Sequence, residues 1–121
     1  MDNIFIPGNV PSSKNGKRWT GKVLIHSKAT MKYIKATKDI YQEVGIYCKE
    51  LIKEKEAPYK VSFKFIRGSR RKFDYVNPLQ TVQDLMVKYD WIEDDNMTYL
   101  LPVLEPYEYD KEKPGVYIQI L

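Results

Sequence analysis

The sequence predicts the α/β class in its α+β form: a mixed β-sheet with two main helices packed on it, in one domain spanning residues 1–121. Three observations predict it. Two long segments place apolar residues at steps of three and four, the helical period. The segment 59–67 alternates, the strand period. The predicted order β-β-α-β-α-β-β interleaves the two kinds of element, as helices packed on a mixed sheet require. At 121 residues the chain is long enough for one core without staples.

From the start of the chain, residues 3–6 (Asn-Ile-Phe-Ile) read as a short strand ended by Pro7-Gly8. A loop from Val10 to Arg18, rich in breakers and donors, leads to a second strand over 22–26. Ser27 is a good N-cap for a helix running to about Glu54, with Ile34, Thr37, Tyr41, Val44, Cys48 and Leu51 as its buried stripe. Lys28, Lys32 and Lys35 lie on another face at the start of that helix, where cations oppose the dipole; an anionic partner would explain them. Ala57-Pro58 ends the unit. Tyr59 to Arg67 is a half-buried strand, with Val61, Phe63 and Phe65 on one face and Ser62 and Lys64 on the other. A second helix is expected with Asn77 as its cap, Pro78 at its first position and Gln80 completing a capping box. Its buried stripe is Leu79, Val82, Leu85, Met86 and Tyr89. After an acidic turn at 93–96, residues 97–104 and 116–121 read as two further strands joined by a polar loop.

Bulk composition excludes some classes and suggests a partner. No apolar run approaches the roughly 20 residues needed to span a membrane, so no membrane partner is expected. The opening MDNIFIPGN lacks the basic and apolar regions of a secretion signal, and a cytoplasmic location is the expectation. The lone Cys48 falls on the helical stripe and reads as core packing. Net charge is +4, but residues 1–73 carry 17 Lys+Arg against 6 Asp+Glu, while residues 74–121 carry 3 against 10. Such asymmetry suggests a polyanion for the first part and something cationic for the second.

The candidate chemistry lies where these parts meet. Asp74 closes the basic loop 68–72; Asp94 and Asp95 come after the second helix. A helix of about 13 residues is about 20 Å long, so these carboxylates meet only if the turn after it runs back. Converged beside arginines, they would suit magnesium, which takes hard oxygen ligands and retained waters. Held against a phosphodiester, such an ion polarises the phosphoryl group and activates water. The plain alternative is a solvated turn at 94–96 and a helix-entry charge at Asp74. Lys14, Asn15, Arg18, Arg67, Arg70, Arg71 and Lys72 are the candidates to grip phosphates. Asp84, roughly 10 Å along the helix from Asn77, reads as a structural buttress. His26 reads as a local structural residue. Trp91 reads as a packing anchor, with a wedge at a DNA junction as the alternative. The ten tyrosines are candidate stacking rings for unpaired bases, although Tyr33, Tyr41 and Tyr47 fall near the helical stripe.

The stretch Arg70-Arg71-Lys72-Phe73-Asp74-Tyr75-Val76-Asn77, then Gln83-Asp84-Leu85, then Trp91-Ile92-Glu93-Asp94-Asp95, resembles the core of the RusA family of Holliday-junction resolvases. Pro11-Ser12-Ser13-Lys14-Asn15, then Gly21-Lys22-Val23, then Ser27 leading into a Tyr-bearing helix, resembles the family's opening. The likeness covers most of residues 5–104. It implies a homodimeric, magnesium-dependent endonuclease, with manganese as a substitute ion. Such an enzyme cuts four-way DNA junctions in recombination and repair, often in association with phage. It implies Asp74 and Asp95 as catalytic and metal-binding residues, helped by Asp94. The sequence departs from the family at two places: Val76 stands where the family has aspartate, and Gln80 where it has lysine. Asp94 or Glu93 are the candidates to replace the lost oxygen, and Lys72, Arg71 or Lys14 the lost cation. The departures also leave a reading of another class, a structure-selective DNA-binding protein that has lost catalysis.

Overall fold

A computed structural model describes residues 3–12, 17–19 and 24–121, with 17–19 and 24–26 described by backbone alone. The order is β1 (Ile4–Pro7), β2 (Lys17–Trp19), β3 (Leu24–His26), α1 (Lys28–Ile52), β4 (Tyr59–Arg67), α2 (Val76–Lys88), β5 (Leu100–Leu104), β6 (Glu108–Tyr109) and β7 (Gly115–Ile120). The main sheet runs β1-β7-β4-β5, with β6 also alongside β4, and β2 and β3 form a separate antiparallel pair. Strand β4 is its centre, antiparallel to β7 and parallel to β5 and β6. A parallel pair needs a crossover, and α2 supplies it between β4 and β5. The predicted class, a mixed sheet with two helices, therefore stands. Among the described residues, no helix is long and apolar enough to cross a membrane.

One face of the sheet carries Ile4, Ile6, Val61, Phe63, Phe65, Val116, Ile118 and Ile120, all buried in one cluster with the inner sides of both helices. The opposite face carries Phe5 against Tyr117 and a Lys64–Glu108 ion pair of 2.7 Å. Strand β4 is more buried than expected, because Ser62 and Ile66 on that second face are buried too.

Helix α1 starts as the sequence dictates. Ser27 Oγ accepts the Thr30 N–H at 3.2 Å, and no acidic residue stands in the first turn. The buried stripe is Thr30, Tyr33, Thr37, Tyr41, Gly45 and Cys48, rotated slightly from the expected one, so that Ile34, Val44 and Leu51 lie at its margins. Tyr33 and Tyr41 share a hydroxyl hydrogen bond of 3.0 Å inside the core. Burial pushes the Tyr33 phenol up to about 12 and the Cys48 thiol up to about 12, so Cys48 is packing, as expected, and not a nucleophile.

Helix α2 starts a residue before the expected cap. Tyr75 is its N-cap, without a side-chain cap bond, and Asn77 lies inside the helix, its N–H donating to Asp74 O at 3.1 Å. Pro78 fits because its missing N–H falls among the first four, which have no partner within a helix. Of the expected stripe, Leu79, Val82, Leu85 and Met86 are buried, and Tyr89, at the C-cap, is half-buried.

The end of α2 sets the path of the chain beyond it. Trp91 N–H donates to Met86 O at 2.8 Å and Asp90 N–H to Val87 O at 3.2 Å, the paired bonds of a Schellman turn. Asp90 occupies its left-handed position with φ 62°, a place that favours glycine. Asp90→Gly should stabilise the fold by about 0.5–1 kcal/mol, the left-handed strain less glycine's greater chain entropy. The check is a higher urea midpoint with an unchanged slope.

The Schellman turn drives Trp91 inward. Its indole is fully buried and donates to Tyr41 O at 2.7 Å. This establishes the packing anchor and overturns the wedge, since a buried indole cannot enter DNA. Helix α1 makes room at Gly45, where a Cβ would come within 2.7 Å of Tyr89 O and 2.8 Å of Trp91 Cδ1. Of the two last predicted strands, the first begins later, at Leu100, because Asn96 to Tyr99 forms a turn closed by Tyr99 N–H and Leu100 N–H on Asn96 O. The predicted polar loop contains β6, too short to leave a pattern.

Candidate nucleic-acid interface

A groove of about 490 Å3 opens where the basic loop enters α2. Arg70, Arg71 and Lys72, all exposed, line it together with Ser12, Asp74 and Asn77. Phe73, Tyr75 and Tyr107 complete the wall. Phe73 stands 5.2 Å from Tyr75 and 5.2 Å from Tyr107, edge to face with the latter at 89°. The Tyr107 N–H donates to the Tyr75 hydroxyl at 3.0 Å, which holds the loop after β5 against the start of α2. Beside the groove the Arg70 guanidinium lies 4.1 Å from the centre of the Tyr109 ring, a cation–π contact.

Arg67 does something different from its neighbours. It is 5% exposed; its guanidinium donates to Val10 O at 2.6 Å and to Ser12 Oγ at 3.0 Å, and lies 4.7 Å over the Phe73 ring. Burial lowers its pKa from the ordinary value. The side chain expected to grip phosphate is turned inward, where it ties residues 10–12 to the groove wall. Extending the alternation Val61, Phe63, Phe65 by one step places residue 67 on the core face, and this was the signal in the sequence. Lys14 and Asn15 lie outside the described residues, and the side chains of Arg18 and His26 do too.

The acidic turn does run back to α2. Asp95 Oδ2 accepts from Gln80 Nε2 at 3.3 Å and from Gln83 Nε2 at 3.3 Å. Gln80 Nε2 also donates to Asp84 Oδ1 at 2.7 Å. The expected capping box is therefore absent: Gln80 bridges two carboxylates on the exposed side of the helix, and Asp84 is a buttress as expected. Val76 lies one turn earlier on the same side, 65% exposed. Asp94 is folded into its own turn, with Oδ1 accepting Asp95 N–H at 2.7 Å and Oδ2 accepting Asn96 Nδ2 at 3.1 Å. Glu93 accepts a hydrogen bond from the Tyr99 hydroxyl, which raises that phenol's pKa.

Magnesium is held by one or two carboxylates together with retained waters and substrate phosphates. Among the described residues, no three His, Cys, Asp or Glu side chains group to hold a metal ion. Asp95 is held by amides, Asp94 and Glu93 are turned to local partners, and Val76 offers no oxygen. The groove, in contrast, has what a phosphate backbone requires: three exposed cations, and beside them aromatic surface. No role for Gln83 was legible in the sequence, and Tyr107 was one of ten candidate stacking tyrosines with nothing to single it out, since each acts through a partner far along the chain.

No protein-family model matches the chain, and no curated protein matches it either.

Proposed function

We propose that the chain is a structure-selective DNA-binding protein, built on a RusA-like plan and directed at branched DNA such as the four-way junction, with its cutting centre lost. The observation that carries this reading is the groove itself, where the exposed Arg70, Arg71 and Lys72 stand with the rings of Phe73, Tyr75 and Tyr107. Arg70, Arg71 and Lys72 hold phosphates as charge-assisted hydrogen-bond donors. Gln80 and Gln83 hold the acidic turn against α2 without adding charge. Two copies about a two-fold axis match the symmetry of a four-way junction.

Metal-dependent cutting is the second reading, favoured by Asp74 in the wall of the basic groove. The two part in one experiment: an end-labelled synthetic junction and a linear duplex of the same sequence, each with magnesium, with manganese and with EDTA. The expected result is retention of the junction in every condition, ahead of the duplex, with no nicks. Paired, symmetric nicks on the junction alone, and only with a divalent metal, would establish the endonuclease instead. Equal retention of junction and duplex would remove the selectivity.

A further inference from the structure

We propose that the groove takes one unpaired nucleotide, with its base stacked on Tyr107 and its flanking phosphates on Arg71 and Lys72. The inference rests on the DNA-binding reading above and specifies what that groove recognises.

Tyr107 is the unexplained residue of the groove. It is 44% exposed, and neither it nor Phe73 belongs to the main core. Yet it is held in place: its N–H is bound by Tyr75 and its ring meets Phe73 edge to face. A rigid, partly bare aromatic ring flanked by cations is the arrangement that receives bases in single-strand binding, because every base offers a π-face. A base within a duplex has both faces covered by its neighbours. Only an unpaired, bulged or junction-centre nucleotide can present one. The groove, at about 490 Å3, is within the range of about 300–1,000 Å3 that accepts small ligands. Aromatic grooves also accept proline-rich peptides, but three exposed cations at the rim favour a phosphodiester.

The test compares two oligonucleotide duplexes with a single-nucleotide bulge. In one the bulged residue carries its base; in the other it is abasic, with all phosphates kept. The intact bulge should bind about tenfold to a hundredfold more tightly, as expected for one stacked base. Tyr107→Ala should erase that difference, so that the intact and the abasic bulge bind alike. Tyr107→Phe should retain the difference, because stacking needs the ring and not the hydroxyl. Equal affinity for the two bulges in the unaltered protein would overturn the stacking inference and leave DNA binding standing. Binding to neither would overturn both. A proline-rich peptide that displaces the intact bulge no better than the abasic one is expected; selective displacement would assign the ring to peptides.

Discussion

Trp91→Ala should cost about 3–5 kcal/mol, the usual loss for emptying a fully buried indole site. The substitution removes the ring 5.5 Å from Tyr41, leaves a void beside Gly45, and deletes the 2.7 Å bond to Tyr41 O. Against a total of about 5–15 kcal/mol for an ordinary domain, that is a large share. The thermal midpoint should fall by roughly 10–20 °C. Trp91→Phe separates the terms in part: it keeps most of the packing while losing the N–H and the smaller part of the ring, so it should cost less than the alanine. The damage should also reach the acidic turn. Trp91 stands between the Schellman turn and Asp95, so loosening it should weaken the contacts of Asp95 with Gln80 and Gln83. Thermal denaturation decides it: a midpoint within about 3 °C of the unaltered protein would mean that the indole does not anchor this corner.

Most of the frame was legible because it depends on neighbours in the sequence. Ser27 caps α1 through a residue three positions on, and the stripes of both helices are local periodicities. The strand 59–67 was readable from alternation alone, and that alternation already carried Arg67 inward, had it been extended one residue further into the basic run. The site was less legible because its partners are distant. Gln80 stands three residues after Asn77 and satisfies the local rule for a capping box, yet its carboxylate partner Asp95 arrives from fifteen residues on. That return depends on a left-handed Asp90, a position where a glycine would have announced the turn and an aspartate does not. Pro78 likewise fits several places in a first turn, so it marks a helix start without fixing the residue. The two-residue β6 and the hold of Tyr75 on Tyr107 exist only through the sheet that brings them together.

Neutralising two cations of the groove should have the largest effect on DNA binding. Each phosphate contact contributes about −0.9 to the slope of log affinity against log salt on duplex DNA. Arg71→Gln with Lys72→Gln should therefore flatten the slope by about 2 and weaken junction binding on the order of a hundredfold near 0.1 M salt. Both side chains are exposed, so the free energy of unfolding should stay within about 0.5 kcal/mol of the unaltered protein's. Arg67→Gln gives the opposite pattern. Its guanidinium is buried on Val10 O, Ser12 Oγ and the Phe73 ring, so the loss should appear first in stability. Any loss of DNA affinity there should leave the salt slope unchanged, because no phosphate contact has gone. Two arginines four residues apart thus separate the two roles that a basic run combines in sequence. A salt slope that stays the same in the Arg71/Lys72 variant would place the phosphates elsewhere, with the exposed Lys28, Lys32 and Lys35 at the start of α1 as the next surface to neutralise.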